Sequence, residues 1–142
     1  MRSISYLPQL LTVFVVSAAA AAQSPWGFPL NQLFVATSLN GQAYDGKSPT
    51  LTINRDRVNH TLTAAGFAGC NTWNSRVTLE QKKFGVGDLG TTRMFCGDQM
   101  ATEASFLAAL KAAKHWRMDG PSLVLVGDTT TLTLSPAAPD KL

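Results

Sequence analysis

Short apolar runs separated by turn residues dominate the chain, and one stretch keeps a different period. Residues 33–39 form a β-branched and apolar run that ends at Asn40-Gly41, a strand and its turn. Residues 50–54 and 58–63 repeat that composition around the polar Arg55-Asp56-Arg57, which predicts a hairpin. The small residues 64–69 predict a bend or bulge. Residues 73–79 and 83–86 are two further short strands. Between 100 and 114 the period lengthens. Met100, Phe106, Leu107, Leu110 and Ala113 recur at three- and four-residue spacing, the apolar face of a helix. Asp98 stands where it can cap that helix, and Lys111 and Lys114 fall in its last turns. Residues 116–118 then read as a strand, Asp119-Gly120-Pro121 as a turn, and 122–126 with 130–135 as a hairpin around Gly127-Asp128. Strands before and after a single helix predict an α+β fold, a strongly bent, mostly antiparallel, barrel-like sheet packed on one main helix. Residues 23–32, with two prolines and no period, read as an extended lead-in, and 136–142 as a flexible tail.

The first 22 residues follow another logic. Arg2 precedes an apolar run over 10–16, and Ala20-Ala21-Ala22 supplies the small residues that signal peptidase requires. The apolar centre is about 13 residues, short of the roughly 20 that a spanning helix needs. A cleaved signal peptide, 1–22, is therefore favoured over a membrane anchor, with 33–135 as the folded domain. The expected location is periplasmic or secreted. No cysteine stands at the cleavage point to carry a lipid.

Charge changes the picture little. Loss of Arg2 leaves eleven basic residues against nine acidic, and no basic stripe interleaved with aromatics points to nucleic acid. Two cysteines remain, Cys70 and Cys96. In an oxidising compartment pairing is the default. The bond would close a loop of about 27 residues, which the chain-entropy model values at roughly 3.5 kcal/mol.

Several constellations bear on chemistry. Residues 85–90 spell G-x-G-x-x-G, but 91–96 separate them from the helix, so a glycine-rich connection is expected rather than a nucleotide site. Glu103 lies one turn before Phe106, Leu107 and Leu110, so it points toward the apolar face and needs a partner there. Arg93, Thr92 and the backbone of 69–71 are the candidates. A structural tie between helix and cysteine loop is favoured over a general acid or base with a raised pKa. Asn71 is expected to hold a tight turn. His60, in a strand, and His115, after the helix, lack companions at metal-ligand spacing, so no metal site or cofactor is expected. No nucleophile-elbow or zinc-protease signature is present.

The central third resembles the META domain, the HslJ-like family of heat-shock-type envelope proteins. The residues that carry the likeness are Gly69-Cys70-Asn71 with Trp73, then Thr92-Arg93-Met94-Phe95-Cys96, then Met100, Glu103, Phe106 and Leu110. Weaker matches at 39–41, 122–125 and 131–134 extend it over residues 33–135. Phe34 and Trp73 stand where the family often has other aromatics, and both keep an aromatic plug. The resemblance implies a compact β-rich sheet on one helix and no established catalysis. It ties the chain loosely to envelope stress and antibiotic tolerance. The resulting expectation is a monomeric, non-catalytic envelope protein that binds another protein. The alternative is a small-ligand or lipid binder with a cavity lined by Trp73, Phe84, Phe106 and Trp116.

Overall fold

A computed structural model describes residues 24–138 of the 142. The expected signal peptide, 1–22, and the end of the tail, 139–142, lie outside the described residues. In chain order the elements are β1 (Phe34–Leu39), β2 (Gln42–Ala43), β3 (Thr50–Arg55), β4 (Leu62–Phe67), β5 (Thr72–Glu80), β6 (Lys83–Val86), β7 (Gly90–Thr91), α1 (Gln99–Ala112), β8 (His115–Asp119), β9 (Ser122–Val126) and β10 (Thr131–Pro136). The architecture is α+β and dominated by one bent ten-stranded sheet with one helix, as the strand-helix-strand pattern predicts.

Every pairing is antiparallel, in the order β10-β9-β8-β6-β5-β4-β3-β1-β2, with β7 beside β5. β10 also pairs with β1, so the succession of paired strands returns to where it started. The ladder is thinnest between β6 and β8, which meet at Lys83↔His115 and through the Phe84 and Trp116 N–H groups. β5 shows how pattern makes position. Its nine residues alternate strictly, with Trp73, Ser75, Val77 and Leu79 inward and the even-numbered residues outward. α1 turns Glu103, Phe106, Ala109 and Leu110 inward. Phe106 meets Trp73 edge-to-face at 5.9 Å. Both buried indoles find acceptors for their N–H: Thr50 O for Trp73 at 3.1 Å, and Gln81 O for Trp116 at 2.9 Å.

Several local expectations are corrected. The second strand of the first hairpin does not begin at Val58. Asp56 Oδ1 accepts the Val58 and Asn59 N–H groups, Asn59 Oδ1 accepts the Thr61 N–H, and His60 adopts φ 60°. That side-chain chemistry makes 56–61 a loop, overriding the β preference of Val58, and places His60 outside any strand. The small run 64–69 is mostly β4, not a bend. Gly66 is small because space is short there: its Cα packs against Thr50 O, and an added Cβ would clash with that carbonyl.

The helix ends at Ala112, before Lys114, whose N–H already donates to Val126 O in the sheet. Lys114 Nζ pairs instead with Asp128 Oδ2 at 2.6 Å on the surface. Asp98 stands at the N-cap position but makes no capping hydrogen bond through its side chain, because its own backbone is helical. The Met100 N–H reaches Gly97 O at 3.1 Å and satisfies the first turn from the backbone. Finally, the two ends are packed. Phe28 and Leu30 of the supposed lead-in are buried, with Phe28 edge-to-face on Trp116 at 5.0 Å. Pro136 pairs with Phe34, and the Ala137 N–H donates to Leu33 O.

Candidate functional site

Glu103 meets the turn before β5 through one hub, Asn71. The Asn71 N–H donates to Glu103 Oε1 at 2.7 Å, and Asn71 Nδ2 donates to Glu103 Oε2 at 3.0 Å. Both residues are buried, Asn71 at 2% exposure and Glu103 at 7%. The same amide then grips a third segment. Its Oδ1 accepts the Met94 N–H at 2.6 Å and the Thr92 hydroxyl at 3.0 Å, and its Nδ2 also donates to Met94 O at 3.1 Å. Every polar atom of the Asn71 side chain is therefore satisfied, as a buried amide requires. The Thr92 Oγ1 also accepts the Thr72 N–H at 3.2 Å, which extends the ladder past β7.

The disulfide flanks this hub. Cys70 precedes Asn71, and Cys96 lies two residues after Met94, with the two sulfurs bonded and the Cα atoms 5.8 Å apart. The pairing expected from export is thus present. Gly69 completes the turn. Its φ is +124°, and a Cβ there would lie 3.1 Å from the Glu103 backbone N and 3.2 Å from Thr102 Cγ2. Glycine is required twice over, by conformation and by the close approach of α1.

Among the expected site residues, Gly69, Asn71, Thr92 and Glu103 come together at this hub. Trp73 follows on β5 and carries the hub into the core through Phe106. Met100 is half-buried in the first turn of α1, and its side chain makes no hydrogen bond. Glu103 takes its partner from the backbone of the cysteine turn, as expected, and from the Asn71 amide. Arg93 is exposed and does not reach it. Asn71 does more than hold a tight turn: it clamps a segment more than twenty residues away. The share taken by Met94 leaves no mark in the sequence, because it is made through backbone atoms that any residue type offers.

The clamp has an outward product. Met94 is 58% exposed and Phe95 86% exposed, although the backbone beneath them is held from both sides. The aromatics considered as cavity lining do something else. Trp73, Phe84, Phe106 and Trp116 fill the core, packed within one buried cluster. The G-x-G-x-x-G run does not open a helix. It links β6 to β7 along the flank of β5, so the connection hugs one strand. Among the described residues, no three His, Cys, Asp or Glu side chains gather closely enough to hold a metal ion. No helix there is long and apolar enough to cross a membrane.

Comparison with known proteins adds to this geometry. The model of the META domain family matches residues 29–139. A protein from Burkholderia xenovorans, solved by NMR, superposes with a TM-score of 0.63 at 25% identity, covering 95% of this chain and 99% of that one. A second NMR structure superposes with a TM-score of 0.56 at 21% identity, covering 73% and 87%, and attests the fold alone. A search of curated sequences finds no match.

Proposed function

This chain belongs to the META domain family, and from that premise we propose that it is an exported, non-catalytic envelope protein that acts by binding another protein. The observation that carries this reading is the presentation of Met94 and Phe95. The buried Asn71 amide, itself fixed by Glu103, and the adjacent disulfide hold the backbone that carries two exposed apolar side chains. An aromatic on a fixed backbone loses little conformational freedom on contact, which is what an interface anchor needs. Single exposed apolar residues are ordinary on protein surfaces; a rigidly held adjacent pair is a better candidate for a contact.

Support for a non-catalytic role lies in the saturation of the hub. Both Glu103 oxygens accept from Asn71, which in turn is fully engaged with Thr92 and Met94. A general acid or base must reach a substrate proton, and Glu103 is already committed elsewhere. The disulfide fits the oxidising compartment that the N-terminal pattern implies.

The test is crosslinking in the intact cell envelope, comparing the natural chain with Phe95→Ala. Truncating so exposed a ring leaves thermal stability unchanged, within about 0.5 kcal/mol. The reading expects a defined crosslinked species that the variant loses. The same species at the same yield in Phe95→Ala would refute the surface, and the absence of any species would refute protein binding.

A further inference from the structure

Two glycines of the 85–90 run have no role in the interior. Gly85 pairs with Thr78, and the Gly87 N–H donates to Arg76 O at 2.9 Å. Gly90 pairs with Asn74. Thr78, Arg76 and Asn74 are outward residues of β5, so the three glycines lie along the outer face beside them. None of the three has a positive φ. A Cβ on Gly85 would meet nothing within 4 Å, and one on Gly87 would meet Arg76 O at 3.8 Å, an ordinary contact. Neither backbone conformation nor packing demands glycine at 85 or 87. Glycine in and beside strands also marks places where a ligand approaches the backbone.

A groove lies over this strip. It has a volume of about 540 Å³ and is lined by Thr63, Asn74, Ser75, Arg76, Gly87 and Asp88, within the range of small-ligand sites. Thr63 pairs with Arg76 across β4 and β5, which sets a hydroxyl beside a guanidinium. Asn74 lies over Gly90, whose missing side chain gives it room: a Cβ there would stand 3.0 Å from Asn74 Oδ1. Among the described residues, the Thr63, Asn74, Arg76 and Asp88 side chains make no hydrogen bond or ion pair with the protein.

These groups specify a ligand class. Arg76 only donates, Asp88 only accepts, and Asn74 and Thr63 do both. The groove has one positive and one negative side chain, so it does not select for net charge. Hydroxyl groups both donate and accept, so a ring carrying several of them satisfies all four side chains. The missing side chain at Gly87 lets a sugar ring approach the peptide backbone. We propose that the groove over Gly87 binds a neutral saccharide, with vicinal hydroxyls shared between Arg76 and Asp88.

The experiment is a 1H–15N NMR titration of the protein with chitotriose and with maltotriose, and separately with glycylglycine. The zwitterion tests whether Arg76 and Asp88 bind opposite charges instead. Saturable shifts at the Arg76, Gly87 and Asp88 amides with either sugar, at a Kd of about 1 mM or tighter, are expected. Gly87→Val fills the floor and Arg76→Ala removes the donor. Each should weaken sugar binding at least tenfold while leaving the melting temperature and the rest of the spectrum in place. Phe95→Ala should leave sugar binding unchanged, which separates this site from the protein-binding surface. No saturable shift with either sugar up to about 10 mM overturns the proposal. So does undiminished binding in both groove variants, or saturation by glycylglycine without a response to sugar.

Discussion

Replacing Glu103 by Gln tests the hub with a single atom. The charged group accepts two hydrogen bonds from Asn71, at 2.7 and 3.0 Å. The introduced amide keeps one acceptor and converts the other into a donor. One Asn71 donor then faces another donor in a buried site. Losing a hydrogen bond to a charged group costs about 1.5–3 kcal/mol. Removing a buried charge returns part of its desolvation cost, which leaves a net loss of about 2 kcal/mol. For a domain slightly above a hundred residues that corresponds to a fall of roughly 8 °C in Tm. Thermal unfolding followed by circular dichroism reads it, with the urea midpoint as a check that cooperativity is kept. Asn71→Asp sets a second carboxylate against Glu103 and should cost more than Glu103→Gln. Combining the two lets the introduced amide donate to the introduced carboxylate. The double variant should be more stable than the sum of the single losses predicts, by at least about 1 kcal/mol. A Glu103→Gln shift below about 2 °C, or strict additivity in the cycle, would refute the tie between helix and turn.

Three further outcomes are expected. Gly69→Ala strains a residue at φ +124° and crowds the Glu103 backbone N at 3.1 Å; a loss of about 2 kcal/mol should appear in denaturant unfolding. Replacing both Cys70 and Cys96 by Ser should remove roughly 3.5 kcal/mol, and a wild-type midpoint would show that the loop is held by the hub alone. The Asp56 carboxyl sits below its ordinary 3.8 because the Asn59 and then the Val58 N–H groups bond the charged form. A lowered folded-state pKa means that its contribution is present above the ordinary carboxylate range and is lost as pH falls through the lowered value. The Val58 and Asn59 amide shifts should therefore titrate below 3.8, and a midpoint at or above it contradicts the loop geometry.

Periodicity made the main elements legible. The strict alternation of β5 and the three- and four-residue spacing of α1 are read directly from residue type, because each decides which face meets the core. The elements misjudged are those where a side chain outvotes propensity. Asp56 and Asn59 turn a β-branched stretch into a loop, and Gly66 is small to admit Thr50 rather than to bend. The candidate site was partly legible. Glu103 stood out because a carboxylate on an apolar face must find a partner. Its principal partner, Asn71, reads from the sequence as a turn residue with a more local task. Contacts made by the Met94 backbone leave no trace in residue identity, and neither does the burial of Phe28 against Trp116.

The pairing of β1 with β10 has a kinetic consequence. Val35 meets Ser135, and Leu39 meets Leu132, so nearly the whole domain separates strands that must lie side by side. Contacts of such sequence separation slow folding, because the entropy of the intervening chain is lost before they form. The first strand can pair with β2 and β3 early, but its other edge stays open until the last strand has been delivered. A polypeptide threaded across a membrane from its N-terminus would carry that open edge through the whole passage and complete its sheet only on arrival.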